Sequence, residues 1–159
     1  MNPPASRPLH RVLILNGPNL NQLGKREPEI YGSTTLATIE TLCRKHAQTH
    51  GLTMTFQQSN HEGVLIDAIQ NSSDEALIIN AAALTHQSIA LLDSLRAFTG
   101  FILEVHLSNI YKREPYRRHS YISEAADGLI CGLGAQGYLL ALDAVAHHLN
   151  ESPKEKAHV

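Results

Sequence analysis

The chain has 159 residues, 43% of them apolar, which suits one domain with a substantial core and leaves no room for a second. Its formal charge is −2 with the signs mixed, and no basic stripe interleaves with aromatics, so composition excludes a nucleic-acid-binding surface. No window approaches the roughly 18 consecutive apolar residues of a membrane span, and a soluble protein without membrane contact is expected.

Residues 1–10 hold three prolines and no apolar core segment. They read as a disordered N-terminal arm rather than a signal peptide or anchor. The first candidate strand is Arg11 to Leu15. After it comes a polar loop from Asn16 to Gly32, far longer than the roughly 2–6 residues of an ordinary strand-to-helix connection. It is either disordered or an active-site lid, and the lid is the stronger reading. Gly24 and Gly32 can absorb the dihedral changes of closure, and Pro28 stiffens the part that carries Tyr31.

A helical pattern follows in Leu36, Ile39, Leu42 and Cys43, then a strand from Thr53 to Gln57. Val64, Leu65, Ala68 and Ile69 repeat the helical period before the strand Ala76 to Asn80. Ile89, Leu92 and Leu95 mark a third helix, Phe101 to Leu107 a fourth strand and Leu129 to Cys131 a fifth. Leu139, Leu142, Val145, Ala146 and Leu149 mark a last helix, and residues 151–159 read as a flexible tail. Strands alternating with helices imply parallel pairing through right-handed crossovers, hence an α/β three-layer sandwich around a five-stranded parallel sheet spanning residues 11–150. Such a sheet binds ligands beyond the carboxyl ends of its strands.

Polar residues collect at those ends. Glu104 and His106 are two apart on a strand, so both leave one face, where a carboxylate fixes the imidazole tautomer and favours the protonated ring. That suits a general acid, and a polar pair on an exposed face is the plainer alternative. Arg26 and Tyr31 share the loop. A phenol becomes a useful base only when a cation stabilises its phenolate, although such a pair can also simply cover apolar surface. Asn19, Asn80, Thr85, His86, Ser108 and Arg117 could hold a polyhydroxylated anion, with Thr85 alternatively a helix N-cap and Asn80 a turn residue. Asp93 is either an exposed helical carboxylate or, given Leu91, Leu92 and Leu95 around it, part of a helix face packed on another subunit. The basic run Lys112 to Arg118 reads as a solvated loop or as a grip on a small anion.

Three other features carry less. Cys43 and Cys131 sit singly in apolar patterns and read as buried thiols in a reducing cytoplasm. None of the spacings among the ten histidines forms a closed metal-ligand set, so no metal is expected, and His147-His148 reads as the polar end of a helix. Gly132-Leu-Gly-Ala-Gln-Gly137 matches the dinucleotide fingerprint, but it follows the last strand and lacks the βαβ context. It reads as a tight turn with close helix packing. A nucleotide- or flavin-binding domain on the same fold is the alternative it raises.

Seven ordered blocks resemble those of type II 3-dehydroquinate dehydratases, across roughly residues 10 to 150. They are Leu15-Asn-Gly-Pro-Asn-Leu-Asn, Arg26-Glu-Pro-Glu-Ile-Tyr-Gly, Gln57-Gln-Ser-Asn-His-Glu-Gly, Leu84-Thr-His, Glu104-Val-His-Leu-Ser-Asn, Arg117-Arg-His-Ser-Tyr and Gly132-Leu-Gly-Ala-Gln-Gly-Tyr. The resemblance implies a flavodoxin-like fold and a lyase of the shikimate pathway that dehydrates 3-dehydroquinate without cofactor or metal. It implies Tyr31 as base, Arg26 as its activator, Asn19 as holder of a water at the enolate oxygen, and His106 as acid oriented by Glu104. Asn80, His86, Leu107, Ser108 and Arg117 would grip the substrate, with Asp93 supplied by a neighbouring chain of a homododecamer built from trimers. Ala81 and Leu84 depart from the family's usual Asn-Pro and Tyr, which bears on pocket polarity.

Overall fold

A computed structural model describes residues 9–25 and 27–151, residue 31 by its backbone alone. Arg26, residues 1–8 of the expected arm and residues 152–159 of the expected tail lie outside the described residues.

Five strands, β1 (His10–Asn16), β2 (Leu52–Gln58), β3 (Ala76–Asn80), β4 (Phe101–His106) and β5 (Gly128–Cys131), form an all-parallel sheet in the order β2-β1-β3-β4-β5. This is the flavodoxin-like order. Helices α2 (Leu36–Thr49), α3 (Glu62–Gln70), α4 (Ile89–Ala97) and α5 (Gln136–Asn150) connect and cover the strands, and the long loop holds a short helix α1 (Pro28–Tyr31). The expected three-layer architecture is the one observed. Among the described residues, no helix is long and apolar enough to cross a membrane.

Burial follows from the layers. Every residue of β3 is buried, as a strand covered on both faces requires, whereas edge strand β2 starts with Leu52 and Met54 inward and Thr53 and Thr55 outward. Successive residues of β1 feed opposite cores. Val12 and Ile14 join Ile39, Cys43, Tyr138 and Leu142 from α2 and α5. Leu13 and Leu15 join Leu65, Ile69, Leu91 and Leu95 from α3 and α4. The helical patterns overreach at their edges, because Leu42, Val64 and Ile89 are exposed.

Helix starts are chemically marked. Thr35 caps α2 by accepting from the Thr38 N–H at 3.2 Å, and Ser88 caps α4 by accepting from Leu91 at 2.9 Å. Thr85, the expected candidate cap, instead lies in the 3-10 turn Ala82–His86 before α4, fully buried with its hydroxyl unpaired.

The glycine motif is structural. Gly132 and Gly134 adopt left-handed φ of 88° and 58°, and their N–H groups donate to the carbonyls of His106 at 3.2 Å and Leu107 at 3.0 Å. Those amides are spent on fastening the end of β4, so they are not a cradle for phosphate. Gly137, in the first turn of α5, sits against Val105 and Ile130 with space for no more than a methyl. Cys43 is buried, Cys131 is half-buried, and both are free thiols.

Candidate active site

Because β1 and β3 are neighbours whose following segments lead to opposite faces, their carboxyl ends part and open a crevice. Pro18 and Asn19 line it after β1, Ala82, Ala83 and His86 after β3, and His106, Leu107, Ser108, Ile110, Arg113 and Arg117 after β4. The fold thus brings together Asn19, His86, His106, Leu107, Ser108 and Arg117 from the expected set.

Three backbone features hold the walls. Gly17 runs so close to β3 that a Cβ there would meet the Ala81 carbonyl oxygen at 2.4 Å. Ala82 adopts a left-handed φ of 51°, a conformation that costs an L-residue about 1–2 kcal/mol, and its N–H donates to Asn80 Oδ1 at 3.2 Å. Asn19 is likewise left-handed at 69°, with its N–H donating to Asn60 Oδ1 at 3.0 Å.

Beneath the crevice floor, Glu104 is fully buried on the face of the sheet covered by α3 and α4. His106 Nε2 lies 2.6 Å from Glu104 Oε1, which also accepts from Ser120 Oγ at 2.7 Å, while Ser123 Oγ donates to Oε2. Burial is the largest influence on this carboxyl and opposes ionisation. The hydrogen bond and charge of His106 with the two serine hydroxyls outweigh it and hold the pKa below the ordinary value. Glu104 is therefore a carboxylate at neutral pH. With Nε2–H committed to it, Nδ1 is the nitrogen of His106 left to exchange a proton in the crevice.

The His86 ring stacks over His106 with centroids 6.4 Å apart, and its Nδ1–H donates to the His119 carbonyl at 2.8 Å. Burial lowers the His86 pKa, with His106 and Arg117 pushing the same way, so this ring is neutral and offers Nε2 as an acceptor. Arg117 is mostly buried, bonded to Glu114 at 3.1 Å, and its guanidinium lies 5.3 Å from the Tyr116 ring centroid.

Other expected residues stand apart from this lining. Asn80 lies just below it, its amide donating to the Tyr138 hydroxyl at 3.0 Å; that hydroxyl donates to Asn16 Oδ1 at 2.7 Å. Burial pushes the Tyr138 phenol far up, so it stays a neutral donor and is no base. Asp93 is exposed on α4, 3.9 Å from Arg96, and reaches no part of its own chain's crevice. Tyr31 is placed by its backbone at the end of α1. The first half of its loop is pinned into the core by buried Leu20 and Leu23, while Lys25, Pro28, Glu29 and Ile30 beyond it are exposed.

Sequence reasoning did not single out Arg113, whose Nη1 lies 3.4 Å from Ser108 Oγ, although it belongs to the basic run suspected of gripping an anion. It also missed Ser120 and Ser123, which look like ordinary loop serines until the chain folds them under Glu104.

Comparison with known proteins agrees with this architecture. Residues 10–146 match the family described as Dehydroquinase class II. The chain is 55% identical to a 3-dehydroquinate dehydratase of Dinoroseobacter shibae over 140 residues, covering 87% of this chain and 93% of that one. It is 52% identical to a 3-dehydroquinate dehydratase of Streptomyces coelicolor over 138 residues, covering 85% and 88%. Among solved structures it is similar to the type II dehydroquinase of Butyrivibrio crossotus, with a TM-score of 0.84 and 36% identity over 86% of this chain and 97% of that one. With its parallel sheet, its Glu104–His106 pair and this similarity along nearly its whole length, the chain belongs to the class II dehydroquinase family.

Proposed function

We propose that this protein is a 3-dehydroquinate dehydratase, a lyase that removes water from 3-dehydroquinate to give 3-dehydroshikimate, a step of the shikimate pathway. The observation that carries the reading is the buried Glu104 carboxylate beneath His106, in the floor of a crevice also lined by Arg113 and Arg117, in a chain 55% identical to an enzyme of that name. The arginines suit a carboxylate substrate and the histidine suits protonation of a leaving hydroxyl.

In the proposed mechanism the Tyr31 phenolate, stabilised by Arg26, removes the proton at C2 beside the ketone. The electron pair moves into the carbonyl to form an enolate, whose oxygen meets a water held by Asn19. As the enolate collapses, the C1–oxygen bond breaks, and the hydroxyl leaves as water with a proton from His106. Enolate stabilisation by the adjacent carbonyl makes an electron sink unnecessary. Asn80, His86, Arg117 and the backbone of Leu107 and Ser108 hold the substrate.

Asp93 completes the site of a neighbouring chain within a trimer, and four trimers make a homododecamer. Support comes from the outward face of α4, where Ile89 and Asp93, four residues apart, are both exposed. A cytoplasmic location fits the two free thiols.

The test is conversion of 3-dehydroquinate to ultraviolet-absorbing 3-dehydroshikimate by the purified protein. Tyr31→Phe should remove nearly all turnover with the substrate still bound, and Arg26→Lys should lose much of the rate. Co-expressed Tyr31→Phe and Asp93→Ala chains should recover a minority of activity in mixed assemblies. Absence of any conversion by the unmodified protein would overturn the function, and inactivity of confirmed hybrids would overturn the shared site.

A further inference from the structure

A cluster of three ligand-type side chains sits far from the crevice, where α2 packs against α5. His46 lies in the last turn of α2 and His50, four residues on, caps its end, so their rings meet on one side of the helix. Asp143 of α5 faces them. Its Oδ1 is 2.6 Å from His46 Nε2 and 2.8 Å from His50 Nε2, and the two rings meet edge to face with centroids 4.9 Å apart. All three donor atoms fall within 4.8 Å of one another. Helix α2 leaves the carboxyl end of β1 and returns to the amino end of β2, so its last turns lie at the opposite end of the sheet from the crevice.

We propose that His46, His50 and Asp143 form a binding site for one zinc-class divalent ion, which ties α2 to α5. Two imidazoles and one carboxylate select an ion of intermediate softness such as Zn²⁺ over Mg²⁺ or Ca²⁺, which prefer all-oxygen sets. A tetrahedral ion about 2.0–2.2 Å from each donor needs donor separations of roughly 3.3 Å, so the two short contacts at Asp143 open by under about 1 Å and the two imidazole nitrogens, within 4.8 Å of each other, settle to that spacing by rotation of their side chains. Asp143 is on the surface side of the cluster, 44% exposed, and can make that movement without disturbing the core. Each ring carries its Nε2 proton toward Asp143 before the metal binds. Coordination through Nε2 moves that proton to Nδ1, and the ion then replaces two N–H donors as the partner of the carboxylate.

A second observation supports the site. The hollow beside it is lined by His50, Asp143, His147, Asn150 and Glu151, so it is open to solvent and flanked by further donors. His147 and Glu151 are occupied with each other at 2.6 Å, which leaves water as the fourth ligand and the site able to load without unfolding.

The test uses the full, untagged chain, stripped with chelator and titrated with Zn²⁺ by calorimetry and with Co²⁺ by visible absorption. The expected result is one equivalent per chain, a Co²⁺ spectrum with His₂Asp character, and a rise in Tm of several degrees that chelator reverses. His46→Gln, His50→Gln and Asp143→Asn should each weaken binding by about 10–100-fold or more and remove the rise in Tm, with dehydratase activity unchanged. His147→Gln should keep both. Equal binding by all three variants and the parent, or loss on His147→Gln alone, would overturn the site. Should a variant fail to fold, imidazole NMR of the parent chain decides. Zn²⁺ must shift His46 and His50 before the other histidines, and a first response elsewhere would overturn it.

Discussion

Ser120 Oγ donates to Glu104 Oε1 at 2.7 Å, the same oxygen that meets His106 Nε2 at 2.6 Å. With Ser123 on the other oxygen, the carboxylate is held by three side-chain donors and no bulk water. This sharing makes the charge of Glu104, and through it the orientation of His106, depend on two serines that do not themselves line the crevice.

Ser120→Ala should therefore lower kcat by about tenfold, the equivalent of about 1.4 kcal/mol, without a matching change in KM. Removing a donor raises the pKa of Glu104 from its depressed value, so the acid limb of the kcat profile should move to higher pH. A pH–rate profile that falls in height and keeps its acid limb would show that Ser120 serves stability alone. Glu104→Gln should be more severe, on the order of 10²-fold in kcat, since it removes the charge altogether.

Tyr138→Phe tests the hydrogen-bonded core under Asn80. The phenol donates to Asn16 and accepts from Asn80, so its loss strands two buried amides. A destabilisation of about 1–3 kcal/mol is expected from urea unfolding. KM should rise as well, because Asn80 loses the bond that fixes its side chain beneath the crevice.

Gly17→Ala should place a methyl 2.4 Å from the Ala81 carbonyl oxygen, which is rigid backbone and has no rotamer to yield. Either β1 and β3 part at their ends or the loop after β1 shifts. A loss of about 1–3 kcal/mol or more is expected, accompanied by impaired turnover, since the same contact sets the crevice walls.

Glu75 gives a pH-dependent contribution to stability at the other end of the sheet. Its carboxylate accepts from the Arg11 N–H at 2.9 Å and lies 3.0 Å from His10 Nδ1, and these contacts, the first above all, lower its pKa from 4.5. A depressed carboxylate stabilises the fold fully above its unfolded value and stops doing so as pH falls through the folded one. Glu75→Gln should thus lower Tm at pH 7, modestly given the exposure of the group, and the two proteins should converge well below pH 4.5. A gap that persists in acid would mean the effect is not electrostatic.

Cys43 is expected to be inert. Burial, helped by the nearby Glu40 charge, pushes its thiol up to about 12, so it holds almost no thiolate near neutrality. A thiol reagent should modify it only after denaturation.

The linear sequence by itself determined the succession of strands and helices, because burial on both faces demands unbroken apolar runs such as Ala76 to Ile79 and one-sided burial demands helical spacing. It also determined that Glu104 and His106 share a face, since the pleat repeats every two residues. What lay beyond it were relations between segments distant along the chain. Ser88 rather than Thr85 caps α4, because a cap depends on which backbone N–H groups the turn leaves unpaired. Asn80 spends its amide on Tyr138, and Ser120 and Ser123 reach Glu104, only once the layers close. His46 and His50 show a bare four-residue spacing until α5 sets Asp143 against them. Hydrogen bonds and metal-type donor sets are decided at distances of about 3 Å, and only packing brings residues nearly a hundred positions apart that close.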